Sequence, residues 1–164
     1  MANEPTAHAN DAASSDLLFL PMGIRLDQGM GIPSDADMNA IRALAGEAIK
    51  KEDLFRFASV ASTNGVDTYY THMDEKSSLR NFKDDLTRGA ALLDSHFVYR
   101  LPVGLSYAAI VADIADGVAE GVPATRAVTG AFYIPRKINV QAGQSTDDYI
   151  RGIETGVYRK MSIG

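Results

Sequence analysis

The sequence predicts a mixed α+β domain, mainly an antiparallel β-barrel with about three peripheral helices. Three observations predict it. Apolar segments of strand length recur along the chain, among them Leu54 to Ser62, Leu92 to Tyr99, Leu105 to Ile114, Ala127 to Ile134 and Tyr158 to Ile163, with Pro and Gly between many of them. Three stretches with helical apolar spacing interrupt them irregularly. No regular strand–helix alternation appears, which argues against a doubly wound parallel sheet.

Composition agrees with one ordinary soluble domain. The chain has 164 residues, of which 46% are hydrophobic and 23% charged. A chain of this length buries roughly two thirds of its unfolded surface, so it needs no disulfide or metal to fold. The absence of cysteine excludes a thiolate nucleophile and cysteine-ligated zinc. A net charge of -5, without a basic stripe, argues against a nucleic-acid surface. No run reaches the roughly 18 apolar residues of a membrane span.

Taken in order, Met1 to Asp16 lacks apolar periodicity and has neither the basic nor the apolar region of a signal peptide, so it reads as a flexible arm. A domain from 17 to 164 follows. Its first strand is Leu17 to Asp27, and Gln28 to Pro33 is a Gly-rich turn. Ser34 with Asp37 three residues on resembles a capping box, and Met38, Ile41, Leu44, Ala45 and Ile49 continue at helical spacing. Lys50-Lys51-Glu52-Asp53 reads as the solvated end of that helix. Leu54 to Ser62 alternates, as a strand with one buried face does, and Asn64-Gly65 predicts a turn into a hairpin partner near Val66 to Met73.

Leu79, Phe82 and Leu86 predict a short amphipathic helix ending at Gly89. A second Ser-x-x-Asp cap at Ser145 and Asp148 opens a helix with Tyr149, Ile150 and Ile153 inward, closed by Gly156. The acidic pairs Asp84-Asp85 and Asp147-Asp148 are read as groups at helix starts.

For chemistry, His8, His72 and His96 are too widely spaced for a compact ligand motif, and no metal or cofactor is expected. P-loop, G-x-S-x-G and G-x-G-x-x-G patterns are absent. Alone, His96 reads as a satisfied structural histidine where a strand meets a turn, and Ser162 as a core serine. As catalysts they need each other: a serine hydroxyl is a weak nucleophile until a base takes its proton, and histidine titrates near neutral pH.

The two motifs together carry a resemblance. The ending Tyr149 to Gly164, which closes on Met161-Ser162-Ile163-Gly164, resembles the nucleophile segment of tailed-phage prohead maturation proteases. Leu92-Leu93-Asp94-Ser95-His96, followed by Leu101-Pro102-Val103-Gly104, resembles that family's catalytic-histidine segment. The resemblance spans about Phe55 to Gly164. It implies a herpesvirus-assemblin-like fold and a serine endopeptidase in which His96 activates Ser162. It further implies that scaffold and major capsid proteins, and the chain itself, are cleaved inside the assembling prohead in the host cytoplasm. A homo-oligomer is compatible with it, and nucleic acid and membrane are not among the expected partners.

One departure stands out. The family's third catalytic group is expected downstream of the serine, and the sequence stops two residues after it, within an apolar stretch that reads as an interrupted strand. The domain is therefore expected to be truncated, with the third group beyond Gly164; within the sequence Asp94 and, more weakly, His72 are candidates to replace it, and the position is left open. The competing expectation is a catalytically inert, capsid-associated structural module of the same fold.

Overall fold

A computed structural model describes residues 24–25, 30–65, 72–94, 99–119 and 122–158. Its sheet contains β1 (Ile24–Arg25), β2 (Leu54–Thr63), β3 (Ala91–Leu92), β4 (Gly104–Ala119) and β5 (Val122–Pro135). They run in the order β1-β2-β5-β4-β3 with every neighbouring pair antiparallel. A small ribbon joins β6 (Asn139–Gln141) to β7 (Gln144–Ser145). The described helices are α1 (Asp35–Ala45), α2 (Ser78–Thr87) and α3 (Thr146–Glu154). The domain is thus α+β, and its sheet curls into an antiparallel half-barrel.

The curl follows from local irregularities. β2 carries an extra residue between Val60 and Ser62, and β4 one between Ser106 and Ala108, each against the uninterrupted β5. A bulge of this kind bends its strand and increases the local twist. The alternation of side chains then assigns two faces. Phe55, Phe57, Ala61, Val128, Phe132 and Ile134 form one core with Leu79 and Leu86 of α2 and with Tyr149, Ile150 and Ile153 of α3. Leu54, Tyr107 and Tyr133 form the other with Met38 and Ile41 of α1. Phe57 lies stacked on Phe132 with ring centroids 5.3 Å apart.

Because helices cover both faces, β2 is buried from Leu54 to Ser62 at every residue except Arg56. The expectation of one buried face is corrected here: the small residues Ala58, Ser59 and Ala61, read as an exposed alternation, let helix and sheet approach closely. Described partners of β2 are β1 and β5, and residues 66–71 of the expected hairpin lie outside the described residues. Asn64 instead finishes the β2–β5 ladder. Its backbone N–H donates to the Arg126 carbonyl (3.0 Å), and its Oδ1 accepts from the Thr125 and Arg126 amides at 2.9 Å each.

The helix caps agree with the sequence reading. Ser34 Oγ accepts from the Asp37 amide (3.1 Å), while Asp37 Oδ2 accepts from the Ser34 amide (2.8 Å). At α3, Asp148 Oδ2 accepts from the Ser145 amide at 2.8 Å, and Gly156 takes the left-handed conformation (φ 69°) after the helix. Two readings need correction. α1 stops at Gly46 (φ 93°), so Lys51 lies in a separate 3₁₀ turn, Lys51–Asp53, and its Nζ reaches back 2.8 Å to Asp35 at the start of α1. Asp84 and Asp85 sit late in α2, where they pair with Lys83 and Arg88.

Gly117, expected to separate strands, lies within β4. Pairing with β5 is interrupted between Asp113 and Gly117 and then resumes, so one long hairpin takes the place of two short strands.

Candidate functional site

The two residues that carry the expected chemistry, His96 and Ser162, lie outside the described residues, as do His8 and the arm, Met1 to Asp16. What is described is the pair of elements that lead to them. β3 runs toward His96 and is tied off by the ladder at the base of the following loop: Leu92 pairs with Gly104, and the Val103 amide donates to the Leu92 carbonyl at 2.8 Å. Gly104 is required there. A Cβ at that position would stand 2.2 Å from the Tyr133 carbonyl oxygen.

α3 runs toward Ser162. Its apolar side, Tyr149, Ile150 and Ile153, is buried against the Phe55–Phe132 core. Beyond Gly156 the chain folds back so that the Tyr158 amide donates to the Gly152 carbonyl (2.9 Å), and the Tyr158 ring lies 6.1 Å from that of Tyr149. Gly152 makes room for it: an added Cβ would meet the Tyr158 ring at 2.4 Å.

These two leads meet at Asp94. Tyr149 donates its hydroxyl to Asp94 Oδ2 at 3.0 Å, and Arg100 Nη1 donates to the same oxygen at 2.7 Å. Burial, followed by the bond to Asp94 and its charge, pushes the Tyr149 hydroxyl up to about 12, so it remains a neutral donor. Asp94 therefore accepts bonds from α3 and from Arg100 that join these described residues. His72, the other weak candidate, is exposed just before α2.

A second polar cluster lies on the opposite face. Tyr107 donates to Asp37 Oδ1 (2.7 Å), and Arg56 Nε donates to the Tyr107 hydroxyl (3.1 Å) while standing 3.5 Å from Asp37 Oδ2. Asp37 and Arg56 are 17% and 18% exposed, so the contact is well shielded. Burial raises the Asp37 carboxyl, but bonds from Ser34 and Tyr107 and the charge of Arg56 outweigh it and hold the group below the ordinary carboxylate range. These bonds tie α1 to β2 and β4. The open cavity between the β6–β7 ribbon and α3, about 410 Å³, is lined by the amides of Asn139, Gln141 and Gln144 with Ser145 and Asp148; the Asp148 carboxylate is engaged in the α3 cap, where it accepts from the Ser145 amide (2.8 Å) and hydroxyl (3.0 Å).

No family model, no curated protein and no solved structure matches this chain.

Among the described residues no group of three His, Asp or Glu side chains is placed to hold a metal, and no helix is long and apolar enough to cross a membrane. The Asp94–Tyr149–Arg100 contact was missed at the level of sequence. Tyr149 showed only as an apolar helix position, and nothing in its spacing announces a hydroxyl partner in a distant loop.

Proposed function

We propose that this chain is a serine endopeptidase of the tailed-phage prohead maturation type on an assemblin-like fold, with His96 as general base and Ser162 as nucleophile. The observation that supports it is the 3.0 Å bond between Tyr149 and Asp94. Asp94 precedes His96 by two residues, a reach of at most about 7 Å, and Ser162 follows Tyr158 by four, at most about 14 Å. Since Tyr158 packs on Tyr149, those chain lengths allow imidazole and hydroxyl to come within hydrogen-bond reach.

In this reading His96 takes the Ser162 proton as the oxygen attacks the scissile carbonyl. The imidazolium then protonates the departing amine, and water releases the acyl group with the same base. Substrates are scaffold and major capsid proteins, and the chain itself, in the assembling prohead.

The deciding experiment is Ser162→Ala in the full-length protein, co-expressed with scaffold and capsid protein. Processing should fall by roughly a thousandfold or more. His96→Ala should do the same while leaving the circular dichroism unchanged. Normal processing by either variant refutes the proposal, and an inert structural module of the same fold then takes its place.

A further inference from the structure

β4 is the longest described strand of the sheet, and its two edges differ. One is paired with β5 along most of its length. Against the other, β3 pairs only with Leu105 and Gly104, and the Ser106 amide donates to the Ala90 carbonyl. From Tyr107 onward no described strand lies on that edge. A strand edge leaves a row of backbone N–H and C=O groups that only another extended chain satisfies in register.

The residues along it lack the usual protection. Ala108-Ala109-Ile110-Val111-Ala112 contains no charge and no proline, and Ile110 is 61% exposed. Ile110 faces the same side as Ala108, toward the α1 layer, at a level where its side chain is left largely uncovered. The flanking carboxylate of Asp113 is 83% exposed and pairs with Arg126 Nε at 3.0 Å, across the β4–β5 ladder.

These five residues are also self-complementary. We propose that this edge of β4 pairs antiparallel with the same edge of a second copy, about a two-fold axis at Ile110. Ile110 then lies beside its counterpart, Ala109 opposite Val111 and Ala108 opposite Ala112. Small residues flank the one large apolar pair, and no like charges oppose each other in that register. Such an interface is isologous and closes at two copies. It does not depend on the peptidase reading.

Sedimentation of the full chain over a concentration series should show a monomer–dimer equilibrium. Ile110→Lys and Ile110→Glu should each weaken self-association at least about tenfold, roughly 1.4 kcal/mol or more, and an equimolar mixture of the two should recover a mixed dimer. The chain has no cysteine, so Ile110→Cys supplies a single thiol. Mild oxidation should link two copies through it, whereas Leu44→Cys, exposed on α1, should not link. A monomer at all concentrations, open-ended polymers, a dimer indifferent to both charge variants, or equal linking by the two thiols each overturns the proposal.

Discussion

The Tyr107 hydroxyl has two partners from different elements, Asp37 of α1 and Arg56 of β2, so removing one oxygen affects both. Tyr107→Phe leaves Asp37 with one donor fewer in a shielded place and should cost about 1–2 kcal/mol in urea denaturation. Burial first, then the bond to Asp37, pushes this phenol up to about 12 against an opposing effect of Arg56. The sign follows from linkage. A folded pKa above the unfolded value favours the protonated state, so the stabilisation is complete below about pH 10 and is lost as pH rises from 10 toward 12. The Tyr107→Phe variant should lose less stability across that window. Asp37 works in the opposite direction: its lowered pKa supplies stability above the ordinary carboxylate range that fades as pH falls below it. Only one of the three members of this cluster is legible in the sequence. Asp37 is signalled by its spacing from Ser34, but Arg56 and Tyr107 are brought to it by strand pairing, which no local pattern encodes.

Elements whose limits are set by their own side chains were readable. Both capping boxes, at Ser34 and Ser145, and the glycines that follow α2 and α3 mark helix ends through bonds made within a few residues. Elements defined by a distant neighbour were not. β4 continues past Asp113 because β5 runs beside it, and the β6–β7 ribbon is too short for its alternation to register. The element that bears most on the proposed chemistry is α3. Gly152→Ala places a methyl group where the Tyr158 ring lies, so the ring must leave α3 while the helix itself, gaining a better helix former, stays intact. Processing of scaffold should therefore slow by an order of magnitude or so, with helix content unchanged by circular dichroism. Unchanged processing would show that the seating of Tyr158 has no bearing on activity.

At the scale of the whole molecule, the coarse class and the three described helices were legible because apolar periodicity is local, and the strand order was not because it depends on pairings across the chain. Both candidate catalytic residues came from motif resemblance, and the described structure adds the contact at Asp94 rather than the residues themselves. The core joins these parts. Phe57 stacks between the rings of Phe55 and Phe132 with 1% of its surface exposed. Phe57→Ala should destabilise the fold by about 3–5 kcal/mol, read from the shift of the denaturation midpoint at constant slope. The strand order also sets where the entropy of folding is charged. β4 and β5 adjoin in sequence and can meet as a hairpin, but β2 must find β5 across most of the domain, joining Leu54 to Pro135 and Thr63 to Ala127. That closure costs far more chain freedom than the hairpin does, and it brings together Phe57 and Phe132, the rings that reward it.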